Sequence, residues 1–149
     1  MSSSAPISDL DTLIASMQPE LQPGVYVFAS LPHDAAPGGA GIVATFRERE
    51  GMTVVMEEGA AQAAGVAQLF RAAWITLTVH SDLNAVGLTA AFARALGEAN
   101  ISCNVIAAAY HDHIFVPADD AARAMDALAA LQRAAAAMLS ASSKQQAGK

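Results

Sequence analysis

A single cysteine, Cys103, among 149 residues leaves no partner for an internal disulfide and suits a reducing compartment. It falls in a segment expected to be a buried strand, with no positive group beside it in sequence, so an inert thiol is expected rather than a nucleophile. Charge is scarce too. Asp, Glu, Lys and Arg make up 15% of the chain, and eight basic residues face fourteen acidic ones for a net charge of −6. The basic residues are scattered, so no stripe offers phosphates the counterion exchange that nucleic-acid binding needs, and no nucleic-acid partner is expected. No apolar run approaches the ~20 residues that cross a bilayer, and residues 1–10 lack the basic start and apolar centre of a signal peptide. The expectation is a cytoplasmic protein with no membrane partner. Absent as well are a glycine-rich phosphate loop, a nucleophile with a base at recognisable spacing and a catalytic pair of carboxylates. No enzymatic reaction and no cofactor are therefore expected.

Apolar residues, in contrast, reach 54% of the chain, many of them small, helix-favouring alanines. A chain of this length buries roughly 70% of its unfolded surface, as one compact domain or two interlocked units. With so few charges, part of the remaining apolar surface is expected to meet a second copy in a homodimer.

The most informative stretch is residues 74–117, which reads as strand, polar turn, helix, strand, hairpin and strand. Trp74, Thr76, Thr78 and His80 alternate with Ile75, Leu77 and Val79, the period of two of a strand. From Leu88 the apolar positions become Leu88, Phe92, Ala95, Leu96 and Ala99, a helical stripe, and Asn100 suits a left-handed cap. Residues 101–107 and 114–116 return to strand character. Upstream, Ser8 can cap a helix over residues 9–17 that Pro19 ends. Strands are expected at residues 25–31, 42–47 and 52–57, with a helix over residues 60–71. Pro37 and three glycines punctuate residues 33–41 as a loop. A last helix spans residues 119–137.

Several of these segments resemble the ACT domain, a ferredoxin-like β-α-β-β-α-β module that commonly binds amino acids. The pattern rests on Gly87-Leu88, on Leu96-Gly97-Glu98-Ala99-Asn100-Ile101-Ser102, and on Asp112-His113-Ile114-Phe115-Val116. A tandem ACT-like family of small bacterial proteins is similar over most of residues 8–135. Its signature includes Pro19-Glu20-Leu21, Tyr26-Val27-Phe28, Phe46-Arg47-Glu48 and Leu77-Thr78-Val79-His80-Ser81. The resemblance implies an α+β, ferredoxin-like fold of tandem ACT-like units with interlocked or shared strands. Residues 8–72 would form the first unit, its first helix replaced by a loop, and residues 73–139 the second. Residues 1–7 and 140–149 are expected to be disordered, the latter because Ser, Ala, Gln, Lys and Gly offer no apolar face. Two sheets with helices on one face are expected, and the strand at residues 74–80, claimed by both halves, should lie centrally.

The resemblance further implies a non-catalytic sensing or regulatory protein whose partner is a small molecule, an amino acid being the expected ligand. In ACT domains that bind amino acids the ligand sits at the strand-to-helix turn, which carries over to Ser81, Asn84, Ala85, Val86 and Gly87. Free N–H groups at a helix start are a natural carboxylate site, although Asn84 or Asp82 acting as a plain N-cap accounts for the same residues. The resemblance to amino-acid-sensing units also gives Asp112 a role, as the group that meets the ligand's ammonium. An aspartate favoured by hairpin-turn geometry is the simpler alternative. His80, His111 and His113 form a separate candidate. His111 and His113 lie two apart on one strand face and His80 closes a neighbouring strand, so three imidazoles could hold a metal ion. At residues 47–51 the mixed charges of Arg47, Glu48, Arg49 and Glu50 suit pairing across a hairpin.

Overall fold

The computed structural model describes residues 6–35, 39, 41–79 and 86–148, with side chains from Leu10 onward. The elements run α1 (Pro6–Ser16), β1 (Gln18–Leu21), β2 (Tyr26–Leu31), β3 (Ile42–Arg47), β4 (Met52–Glu57), α2 (Glu58–Ala63), β5 (Phe70–Thr78), α3 (Leu88–Glu98), β6 (Asn104–Ala107), β7 (Asp112–Pro117) and α4 (Ala121–Ala147).

All seven strands join one antiparallel sheet, six in the order β3-β4-β2-β5-β7-β6 and β1 beside β5, where two separate sheets were expected. The reason is β5, which is nine residues long and has both edges occupied. One edge pairs with β7, from Ala72 opposite Pro117 to Leu77 opposite Asp112. The other is divided between β2, with Tyr26 opposite Ala72, and β1, with Leu21 opposite Ile75. A strand so shared fuses the two halves into a continuous sheet, and β5 is central, as its alternation demanded.

Ala73, Ile75 and Leu77 of β5 and Val79 just beyond it, with Ile114 and Val116 of β7, face the helices and form the main core with Phe92, Leu96 and Leu128. Each such large apolar side chain contributes about 1.5–3 kcal/mol relative to exposure. A smaller core beside it packs Val27, Ala29, Val54 and Met56 against Ala61 of α2. The end of α1 is tied to α4, where Gln132 Nε2 donates to the Ala15 carbonyl at 3.0 Å.

Five boundaries differ from the sequence expectation. α1 begins at Pro6, so Ser8 lies inside the helix instead of capping it, and Pro6 and Ile7, expected to be disordered, are helical. α2 stops at Ala63, because Gly65 takes a left-handed φ of 67° and the chain then joins the sheet, Leu69 N–H donating to the Phe28 carbonyl at 2.8 Å. The alanine-rich residues 60–71 favour a helix locally, and pairing with β2 overrides them at Phe70. β1 has no β-branched residue and contains Pro19; it is a strand only through its partner β5. Cys103 precedes β6 instead of lying within it; it is half-buried, and burial pushes its thiol pKa up. Finally, α4 continues to Ala147, so residues 140–147, expected to be disordered, are helical. No proline or glycine interrupts them before Gly148, and Ala, Gln and Lys extend an existing helix at little cost.

Candidate functional site

β5 ends at Thr78, Val79 is buried beneath the helices, and α3 begins at Leu88. His80, Ser81, Asn84 and Ala85 lie outside the described residues. Val86 is 89% exposed. Gly87 is the N-cap residue of α3 at φ 101°, and no side chain among the described residues caps the helix there. Among the described residues nothing caps the first-turn amides of α3, which also carry the positive end of the helix dipole. Gly87 also has a neighbour that sequence reasoning did not anticipate. A Cβ built on it would lie 3.1 Å from Leu10 Cδ2, so α1 presses on the turn. The glycine is required for this approach and for its positive φ.

Asp112 opens β7 directly opposite Leu77. Directly opposed residues share a face of the sheet, so Asp112 is on the helix side, beside the strand end from which the chain departs toward Gly87. It is not at an exposed hairpin tip: it is half-buried, and burial pushes its carboxyl pKa above the usual carboxylate range, opposed by the charge of His113. Among the described residues its carboxylate has no hydrogen bond or salt bridge.

The histidines belong to the other face. His113 is opposite Thr76, whose hydroxyl oxygen lies 3.2 Å from His113 Nδ1. Trp74 Nε1–H donates to the same nitrogen at 3.0 Å. An indole N–H can only donate, so Nδ1 is an acceptor and the neutral ring carries its proton on Nε2. Gln22 Nε2 donates to Thr76 Oγ1 at 3.0 Å and extends the network to the connection between β1 and β2. Burial, and next the charge of His111, push the His113 pKa down, with Asp112 opposing. The rings of His111 and His113 meet edge to face at 6.4 Å, and His111 Nδ1 is enclosed without a partner. Nδ1 of His113 is thus already engaged by Trp74 and Thr76. Among the described residues no three His, Cys, Asp or Glu side chains converge to hold a metal ion.

This second face carries most of the aromatics. Phe28 of β2 and Phe115 of β7 flank β5, yet their rings stand 5.3 Å apart. Strands two apart in a flat sheet lie about 9.5 Å from one another, so the sheet curls and the two rings close together over the small Ala72. Tyr26 meets Trp74 edge to face at 5.2 Å, and Trp74 stacks on Phe115 at 6.1 Å. Ile106 of β6 and Ala44 of β3 come from opposite ends of the strand order, and the curl brings them to line the same hollows. Sequence reasoning missed this face. The available signal was the alternation of Tyr26 with Phe28, Trp74 with Thr76 and His113 with Phe115, which puts aromatic and polar groups on one side of three neighbouring strands.

A curled antiparallel sheet with helices on one face, built around a β-α-β-β-α unit, defines a ferredoxin-like α+β protein. Residues 5–73 match the ACT domain family, and residues 70–130 match an ACT domain again, the two overlapping within β5. The chain belongs to the ACT-domain family and carries two such domains in tandem. It is similar to a Vibrio cholerae protein of unknown function described as a possible transport protein, with 46% identity, a TM-score of 0.74, and coverage of 86% of this chain and 99% of that one. A protein from Agrobacterium tumefaciens is 18% identical with a TM-score of 0.61, covering 78% of this chain and 89% of the other. The ligand-free regulatory subunit of aspartate kinase from Thermus thermophilus is 11% identical with a TM-score of 0.56, covering 76% and 95%, a likeness of fold alone. No curated protein matches the chain. Among the described residues no helix is long and apolar enough to cross a membrane.

Proposed function

We propose that the chain is a non-catalytic regulatory protein that binds a small molecule, an amino acid, at the turn from β5 to α3. The observation that carries this reading is the half-buried Asp112 carboxylate, with no hydrogen bond or salt bridge among the described residues, on the helix face of the sheet where β5 ends and the chain departs toward α3, whose start no described side chain caps. The two complement a zwitterion. The ligand's carboxylate takes the amides around Val86 and Gly87, with Ser81, Asn84 and Ala85 completing the turn, and its ammonium takes Asp112. Membership of the ACT-domain family supports a regulatory role, and the Thermus thermophilus neighbour is itself a regulatory subunit. A ligand here touches a turn gripped by α1, so it would act by favouring one packing of α1 against α3 over another. The unpaired outer edges of β3 and β6 support a homodimer as the assembled form.

A thermal-shift screen of the twenty amino acids against the full chain tests the reading. A ligand at 100 times its dissociation constant adds about 2.7 kcal/mol of stability. For the amino acid so found, Asp112→Asn should weaken binding about tenfold, as a charge-assisted hydrogen bond becomes a neutral one. Unchanged affinity by calorimetry removes Asp112 from the site, and no shift with any amino acid removes the ligand class.

A further inference from the structure

The concave, helix-free face of the sheet contains a cleft that the β5-to-α3 turn does not use. Its volume is about 350 Å³, and Phe28, Val55 and Ile106 form its apolar walls. That is the lower range of small-molecule sites, which run to roughly 300–1,000 Å³. The cleft exists because the curled sheet brings β3 toward β6 while Ala44, which β3 presents there, is too small to close the gap. A second hollow of about 180 Å³ continues past Ala44 and Ile106 to Trp74 and His113.

The polar group at the outer end is acidic. Glu48 is the one charged residue lining the cleft, and it accepts a hydrogen bond from the Thr53 hydroxyl. None of the salt bridges among the described residues involves it. Beside it Phe46 keeps 71% of its surface exposed, an aromatic face next to an unneutralised carboxylate. The hairpin holding both is rigidly placed, because Gly51 lies against the Leu31 carbonyl so closely that a Cβ would sit 2.7 Å from its oxygen. The net charge of −6 adds a favourable field for cations. At the inner end the His113 network fixes a ring whose Nδ1 is already satisfied.

We propose that this cleft is a second binding site, independent of the zwitterion site, for a small organic ammonium with an aromatic or branched apolar body. The ammonium pairs with Glu48 and lies against the Phe46 ring, and the body fills the space between Phe28, Val55 and Ile106. Three physical terms agree on this class: charge-assisted hydrogen bonding to the carboxylate, cation–π contact, and removal of apolar surface from water. An anion of the same shape meets the carboxylate and is rejected.

The test uses the full-length protein and two probes of the same body, 2-phenylethylammonium and 3-phenylpropanoate. Binding is followed by the fluorescence of Trp74, the only tryptophan, and by calorimetry. The ammonium should bind saturably and at least about tenfold more tightly than the carboxylate. Glu48→Gln and, separately, Phe46→Ala should each weaken the ammonium while leaving the melting temperature of the free protein unchanged, since both side chains are exposed. Asp112→Asn should leave the ammonium's affinity unchanged, which separates this site from the one at the turn. Equal binding of the two probes, or full affinity in Glu48→Gln, overturns the proposal. So does loss of ammonium binding in Asp112→Asn, which would put the cation at the other site.

Discussion

Replacing Gly87 by alanine isolates what the turn demands of the backbone and of α1. At φ 101° an L-residue carries a left-handed strain of about 1–2 kcal/mol. The new Cβ would also lie 3.1 and 3.3 Å from the two methyls of Leu10, closer than comfortable packing, so α1 has to shift or Leu10 has to change rotamer. Together the loss should be about 2 kcal/mol, which for a chain of this length lowers the melting temperature by roughly 4–8 °C. The control is Gly97→Ala in the same helix. A Cβ there meets nothing within 4 Å, and its φ is not positive, so the substitution should stabilise by about 0.5–1 kcal/mol through the entropy of the unfolded chain. Denaturant melts of the two variants should therefore move in opposite directions. Repeating Gly87→Ala in a Leu10→Ala background divides the terms, because the steric part disappears and the backbone part stays. If Gly87→Ala is no less stable than Gly97→Ala, the glycine is not serving the turn and the account of how α1 grips α3 is wrong.

The remaining predictions concern ionisation and the helical tail. The His113 pKa is lowered in the folded state, so the folded protein binds fewer protons than the unfolded chain between that value and the ordinary one. Its contribution to stability is full above the ordinary histidine pKa of about 6.5 and is lost as pH falls through the folded value. Trp74→Phe removes the donor to Nδ1, so NMR titration should show the His113 pKa rising toward ordinary; an unmoved pKa would disprove the hydrogen bond's part in holding it neutral. Asp112 has the opposite sign: its raised pKa means that stability is fullest below the ordinary carboxylate pKa and declines as pH rises through the folded value. Ligand-free Asp112→Asn should then be at least as stable as the parent at neutral pH in urea melts, and a clear loss would show that the carboxylate has a structural partner. The last buried residue of α4 is Ala135, so removing residues 140–149 should lower far-ultraviolet helical signal yet move the melting temperature by about 1 °C or less. A larger drop would mean that the end of α4 is packed.

The sequence by itself determined those elements whose cause is local. Residues 74–78 form a strand because β-branched and apolar side chains alternate, α3 follows from the stripe Leu88, Phe92 and Leu96, and Asn100 takes φ 60° because its short polar side chain tolerates a left-handed turn. The tandem ACT organisation was legible for the same reason, being written in short segments that each carry their own pattern. Tertiary structure decided whatever depended on partners distant in the chain. Residues 18–21 became a strand, and Phe70 left the alanine-rich helix, only because β5 and β2 supplied backbone partners. The sharing of β5's edge between β1 and β2 merged two expected sheets into one, and the curl of that sheet created the aromatic cleft from residues far apart in sequence. The candidate sites divide in the same way. That a helix begins at Leu88 could be read from spacing; that Asp112 already belongs to β7, where the sequence suggested a hairpin tip ahead of a strand over residues 114–116, could not. That Asp112 shares the helix face while His113 lies on the opposite one follows from register, because side chains alternate along a strand and pairing with β5 sets which way the alternation falls.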